Sequence, residues 1–127
     1  MSVDGRARSL EQEVLANRLA TTCVDIDLQL YKGSIYKLRW GSPGGLDQGI
    51  PCYRTAAALA EGAPWPDDLQ KLASALADRV RAYVAILEAK DVTTASAQHS
   101  LMMADFEALR EAVHRWPAPE ESGSARG

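Results

Sequence analysis

The side chain best suited to act as a general base is Asp27. If residues 9–32 form one helix, Asp27 falls among apolar neighbours such as Cys23 and Ile26, where a carboxylate is costly unless it is paired or hydrogen-bonded. A buried carboxylate with a perturbed pKa is a typical catalytic group. Asp27 is therefore the candidate catalytic residue, and whether the chain is an enzyme depends on the burial of this carboxylate.

A second group of candidates lies in residues 31–54, which hold four of the eight aromatic residues and four lysines and arginines. Aromatic and arginine side chains are enriched at protein interfaces, and a guanidinium group also binds carboxylate or phosphate. The alternative is that the aromatic residues close one end of the fold while the charges face water. The predicted ligand- or partner-binding residues are Tyr36, Arg39, Trp40, Tyr53 and Arg54.

The histidines do not predict a metal site. Glu111 and His114 form one Glu-x-x-His pair, but a di-metal helical bundle needs two such pairs and two further glutamates. His99 has no glutamate three residues before it, and 15 residues separate it from His114, which is roughly 22 Å along one helix. We expect no metal and no cofactor.

Cys52 follows Pro51 and precedes Arg54. A helix N-terminus and a nearby cation both lower the pKa of a thiol, so Cys52 is the more reactive candidate of the two cysteines, although a structural role is favoured for both. The glycine-rich residues 41–51 lack the Gly-Lys-Ser/Thr signature of a phosphate-binding loop.

Charge and composition limit the kinds of partner. The net charge of -3 and the absence of a basic region argue against nucleic acid as a partner. No apolar run approaches the length of a membrane span, and the N-terminus lacks the apolar segment of a secretory leader. With two cysteines in 127 residues, we expect a cytoplasmic protein with reduced thiols.

Two structures compete for residues 9–40. Ser9 and Gln12 have the spacing of a capping box, and Leu15, Leu19, Cys23, Ile26 and Leu30 follow at helical steps, with Gly33 as the end of the helix. The alternative is a β-hairpin at about 23–40, because apolar and polar residues also alternate strictly from 24 to 30 and again from 36 to 40. The helix is favoured.

Three further helices are predicted. A loop over 41–51 leads to a short helix from Pro51 to Gly62, because proline is well tolerated in the first turn. A long helix runs from Pro66 to about Lys90, and another runs from the capping residues 91–93 to about Trp116. Since the break between these two is short, they are expected to lie antiparallel and adjacent.

The sequence thus predicts an all-α fold, an antiparallel bundle of three long helices plus one short helix and an irregular Gly/Pro-rich segment. A single domain would span residues 9–116, between a flexible N-terminus (1–8) and a disordered tail (117–127). The expected function is a small non-enzymatic interaction or regulatory protein that acts through a protein–protein interface, as a homodimer. The alternative is a small helical enzyme or ligand-binding protein with an anion-binding pocket closed by residues 33–54.

Overall fold

The described part of the chain folds into α-helices joined by short connections and contains no strand. The computed structural model describes residues 8–37 and 45–117, with the side chains of all of these except 36, 37 and 45–47. Four helices follow one another, namely α1 (Leu10–Lys37), α2 (Gly45–Gly62), α3 (Asp67–Glu88) and α4 (Val92–His114). The all-α prediction is confirmed, and the alternative of a hairpin is wrong because α1 continues unbroken from residue 23 to residue 37.

The capping box at the start of α1 is formed as predicted. The amide of Gln12 donates to Ser9 Oγ at 3.1 Å, and the amide of Ser9 donates to Gln12 Oε1 at 3.0 Å. The predicted end at Gly33 is wrong, because α1 runs on to Lys37. Gly33 is buried, and a Cβ atom at this position would lie 2.6 Å from two ring atoms of Tyr53. The glycine therefore serves a close contact between α1 and α2 rather than a turn.

Helix α2 starts earlier than predicted. It begins at Gly45, so Pro51 lies inside the helix, and the part of the predicted loop from residue 45 onward is helical. Residues 38–44 of the predicted irregular segment lie outside the described residues. Ile50 and Tyr53 are both buried, and the burial of an apolar face outweighs the backbone hydrogen bond that a proline removes. The prediction of one short helix is wrong, since α2 has 18 residues.

The break between α3 and α4 has the predicted capping chemistry. Lys90 adopts a positive φ of 60° after the last turn of α3, which is a common way to end a helix. The carboxylate of Asp91 then accepts a hydrogen bond from the amide of Thr94 at 3.1 Å. The predicted ends of α3 and α4 lie within about two residues of the observed ones, which is the usual uncertainty of a helix boundary.

One apolar core lies between the four helices. Consecutive helices pack on each other, and α1 also packs on α4. Asp68 near the start of α3 receives a hydrogen bond from Trp116 after α4, at 3.3 Å. Tyr83 near the end of α3 packs against His99 near the start of α4. The largest fully buried side chains come from all four helices: Leu19, Ile26, Leu30, Tyr53, Leu76, Val80, Tyr83, Leu87, Met102, Phe106 and Leu109.

Two hydrogen bonds stabilise segments that flank the helices. Trp65 Nε1 donates to the carbonyl oxygen of Ala60 at 2.6 Å, in a buried position between α2 and α3. Arg8 Nε donates to the carbonyl oxygen of Trp116 at 2.7 Å and so joins the segment before α1 to the end of α4. The predicted flexible N-terminus and disordered tail lie outside the described residues, apart from residues 8 and 117.

Candidate functional site

Asp27 lies on α1 as predicted, but its side chain is exposed. The line of α1 that faces the core, here called the core line, consists of Ala16, Leu19, Cys23, Ile26 and Leu30. Asp27 falls at the edge of this line, where the space between α1 and α4 opens to solvent. The expectation of a buried carboxylate in helix 1 is therefore wrong, and the property that suggested a general base is absent.

Asp27 borders a shallow cleft of about 210 Å³ between α1 and α4. The cleft is mainly apolar, with Asp27, Arg110 and His114 among its lining residues. Arg110 forms an ion pair with Glu107 on its own helix. Burial raises the pKa of the Cys23 thiol to about 11, so this sulfur stays protonated and is a poor nucleophile. The cleft has room for a small apolar group.

The predicted binding residues in 31–54 are not gathered on one described surface. Tyr53 points into the core and is 1% exposed. The neighbouring Arg54 points to solvent and forms an ion pair with Glu88 of α3. Tyr36 belongs to α1, but its side chain lies outside the described residues, as do Arg39 and Trp40.

Cys52 is buried in α2, and its thiol lies 3.8 Å from the carbonyl oxygen of Gln48, to which it donates. It is not at a helix N-terminus, because α2 begins at Gly45. The basis for a reactive Cys52 is therefore wrong. Among the described residues, no group of three or more histidine, cysteine, aspartate or glutamate side chains could hold a metal ion.

A polar cluster that no sequence pattern predicts receives one side chain from each helix: Ser34, Tyr53, Tyr83 and His99. Ser34 Oγ lies 3.0 Å from His99 Nε2 and 3.3 Å from the Tyr53 hydroxyl. The rings of Tyr53 and Tyr83 meet edge to face at 4.9 Å. Burial raises the pKa of both tyrosines, and the Tyr83 hydroxyl is buried with no hydrogen-bond partner in the described part of the chain.

This polar cluster is suited to joining helices. A serine beside a histidine is also the first half of a nucleophile–base pair, but here the serine oxygen is shared with the Tyr53 hydroxyl and is partly buried between helices. No single-helix pattern could have revealed it, because its four members span 65 residues of chain, from Ser34 to His99, and belong to four different helices.

The most distinctive described surface is the outward face of α1. Of the eight large hydrophobic side chains that are exposed in the described residues, six lie on α1, and each of these is between 43% and 80% exposed. They form a line that we call the outer stripe: Leu10, Val14, Val24, Leu28, Tyr31 and Ile35. It lies about 150° around the helix axis from the core line, so α1 is apolar on two nearly opposite faces.

The outer stripe explains the strand-like alternation of apolar and polar residues in this part of the sequence. Ile26 and Leu30 belong to the core line, whereas Val24 and Leu28 belong to the outer stripe. Two helical lines offset by two residues produce an apolar residue at every second position, which is also the pattern of a strand.

Comparison with known protein families, with curated proteins and with solved structures finds no match to this chain. None of the helices in residues 8–37 and 45–117 is both long enough and apolar enough to cross a membrane. What points to a function is therefore the surface chemistry of the described helices.

Proposed function

We propose that this protein is a non-enzymatic interaction or regulatory protein that binds a protein partner through the outer stripe of α1. The observation that carries the proposal is the exposure of six large apolar side chains in one line, on a helix whose other face already fills the core. The uninterrupted part of this line, formed by Val24, Leu28, Tyr31 and Ile35, is a contiguous exposed apolar patch, and such patches mark interaction sites.

The exposed apolar side chains are concentrated rather than scattered. Among the described side chains, neither α2 nor α3 exposes a large hydrophobic residue, and α4 exposes two, Val92 and Leu101. The outer stripe extends over 25 residue steps, or about 38 Å of helix. A single helix of this length can contribute most of the roughly 800 Å² that each partner buries in a stable interface.

The alternative of an enzyme or anion-binding pocket has less support. The guanidinium group of Arg54 is already paired with Glu88, and Tyr53 is covered by the core. The remaining predicted residues of that pocket lie outside the described side chains.

Helical order and pairwise contacts further favour an antiparallel bundle, and two free buried thiols fit the proposed cytoplasmic location.

Site-specific photo-crosslinking tests the proposal. Leu28, at 51% exposure, is replaced by p-benzoyl-phenylalanine, and Leu101 of α4, at 45% exposure, serves as the matched control. The variants are irradiated in the cells that naturally make the protein, and adducts are identified by mass spectrometry. We expect discrete protein adducts from position 28 and few from position 101. Equal yields at both positions, or no adduct at position 28, would overturn the proposal.

A further inference from the structure

The outer stripe is part of a longer heptad seam. Its six residues and two polar ones, Asn17 and Thr21, follow one another at alternating steps of four and three residues from Leu10 to Ile35. This is the spacing by which one helix packs along another in a coiled coil. All eight side chains are exposed, so a second helix can pack along the seam.

A column of charged residues borders the seam on one side: Glu11, Arg18, Asp25 and Lys32. These residues occur at steps of seven and alternate in sign along α1. All four are exposed. Six ion pairs form among the described residues, and none of them involves a member of this charged column. The column is therefore available to a partner.

We propose that the partner is a second copy of this chain, bound through α1 in an antiparallel, two-fold arrangement whose axis passes between Thr22 and Cys23. This inference rests on the proposed function, because it uses the same outer stripe. In this arrangement the charged residue of the partner copy nearest to Glu11 on this flank is Lys32, and the one nearest to Arg18 is Asp25, each offset by two residue steps, or about 3 Å, along the helix axis. The two-fold axis repeats both contacts, so all four members of the charged column meet an opposite charge.

The same register fills the seam. Antiparallel helices pack in layers that pair positions on opposite sides of the two-fold axis. The layers are Val14 with Tyr31, Thr21 with Val24, Asn17 with Leu28, and Leu10 with Ile35. Each layer contains at least one large apolar side chain, and no layer pairs two polar ones.

Neighbouring antiparallel registers are disfavoured by charge. A shift of seven residues in one direction places Arg18 against its own copy and Glu11 against Asp25. A shift in the other direction places Asp25 against its own copy and Arg18 against Lys32. Like charges at such flanking positions discourage pairing, so the alternating column selects one register.

A parallel pair uses the charged column less completely. Parallel helices pair one flank of the seam with the opposite flank of the partner. The opposite flank consists of Glu13, Ala20, Asp27 and Ser34. Arg18 would then face Glu13, and Lys32 would face Asp27, but Asp25 would face Ala20. Glu13 is moreover engaged with Arg8 at 3.8 Å.

A charge-exchange series on the full chain tests the pairing. Lys32→Glu replaces two attractive contacts per dimer with two repulsive ones and should weaken self-association roughly tenfold. Glu11→Lys should do the same, and the double variant Glu11→Lys/Lys32→Glu should restore the wild-type dissociation constant. Lys71→Glu on α3 is the control, because Lys71 is exposed and is not a member of any of the six ion pairs of the described residues. Sedimentation equilibrium gives the dissociation constants.

Disulfide trapping tests the orientation. In the proposed dimer, Val14 lies beside Tyr31 of the partner copy, whereas the two copies of Val14 are separated by 17 residue steps, or about 25 Å. A mixture of Val14→Cys and Tyr31→Cys chains should therefore form mixed disulfides under mild oxidation, and each variant alone should form few. Both positions are 63% exposed, so neither substitution disturbs the core.

The outcomes separate the two proposals. A monomer at high micromolar concentration, unchanged association in the charge variants, or disulfides between identical positions would each overturn the antiparallel dimer. If crosslinks from position 28 reach a different protein while the chain stays monomeric, the proposed interaction surface stands and the self-association fails. Mixed disulfides together with rescue in the double charge variant would support both.

Discussion

Gly33→Ala is the most informative single substitution in the helical bundle. Alanine is usually the better helix residue, and inside α1 it should stabilise the fold by about 1 kcal/mol. At this position, however, the added Cβ would lie 2.6 Å from the Cε2 and Cζ atoms of Tyr53. Ordinary carbon contacts lie at about 3.5–4.0 Å, so the methyl group overlaps the ring by roughly an ångström.

The ring cannot move away cheaply, because Tyr53 is 1% exposed and packs edge to face on Tyr83. Overpacking of this kind costs about 1–3 kcal/mol, and a rigid, enclosed ring indicates the upper end of that range. Subtracting the helical gain leaves a net loss of about 2 kcal/mol. In a domain of this size, this lowers the Tm by roughly 8 °C.

Urea unfolding followed by far-ultraviolet circular dichroism measures the effect. Gly62→Ala is the matched control, since a Cβ atom there meets nothing within 4 Å, and it should leave the stability unchanged or raise it by up to about 1 kcal/mol. The cost of Gly33→Ala should also shrink when Tyr53 is changed to Leu, because the ring that causes the overlap is then gone. A Gly33→Ala protein as stable as the wild type would refute the close contact between α1 and α2.

Three further predictions concern ionisable groups. Burial raises the pKa of Tyr53 and Tyr83, so the folded state binds their protons more tightly than the unfolded state. The free energy of unfolding should therefore fall as the pH rises above the usual tyrosine pKa of about 10. Tyr83→Phe should flatten this fall, and an unchanged slope in the variant would contradict the prediction. Hydrogen bonds from Thr94 lower the pKa of the Asp91 carboxyl, so the wild type should lose stability relative to Asp91→Asn as the pH falls through that lowered pKa. A stability difference between the two proteins that does not change with pH would argue against the cap. Burial raises the pKa of the Cys23 thiol to about 11. At neutral pH this thiol should react with Ellman's reagent only as fast as the protein unfolds. Rapid labelling of Cys23 in the native protein, mapped by mass spectrometry, would count against its burial.

The sequence predicted the helices best where one signal acted alone. The capping box at Ser9 and Gln12 and the Asp91 cap appear as expected, because these signals depend on neighbours within one turn. Glycine and proline were misleading in α1 and α2. Local rules predict helix boundaries at Gly33 and Pro51, but both residues lie inside helices, since contacts with other helices outweigh local preference.

The candidate site was less predictable than the fold. The position of Asp27 on a helix did not reveal whether α4 would cover it, because coverage depends on how far apart two helices lie. The polar cluster of Ser34, Tyr53, Tyr83 and His99 depends on contacts between all four helices. The residues of the outer stripe were visible in the sequence, but they were divided between the competing patterns of a helix and a strand.

Because α1 is apolar on two faces, two packings of this helix against α2 and α4 compete, one through each face. A rotation of α1 by about 150° about its own axis would bury the outer stripe and expose the core line. Gly33 makes the two packings differ in energy. In the observed packing the Tyr53 ring lies against a glycine, whereas in the rotated packing the bulkier Tyr31 or Ile35 would face the same ring. Asn17 and Thr21 add to the difference, because the rotated packing would bury their polar groups. One glycine and two polar residues thus favour the observed packing, in which the core line faces inward and the outer stripe faces outward.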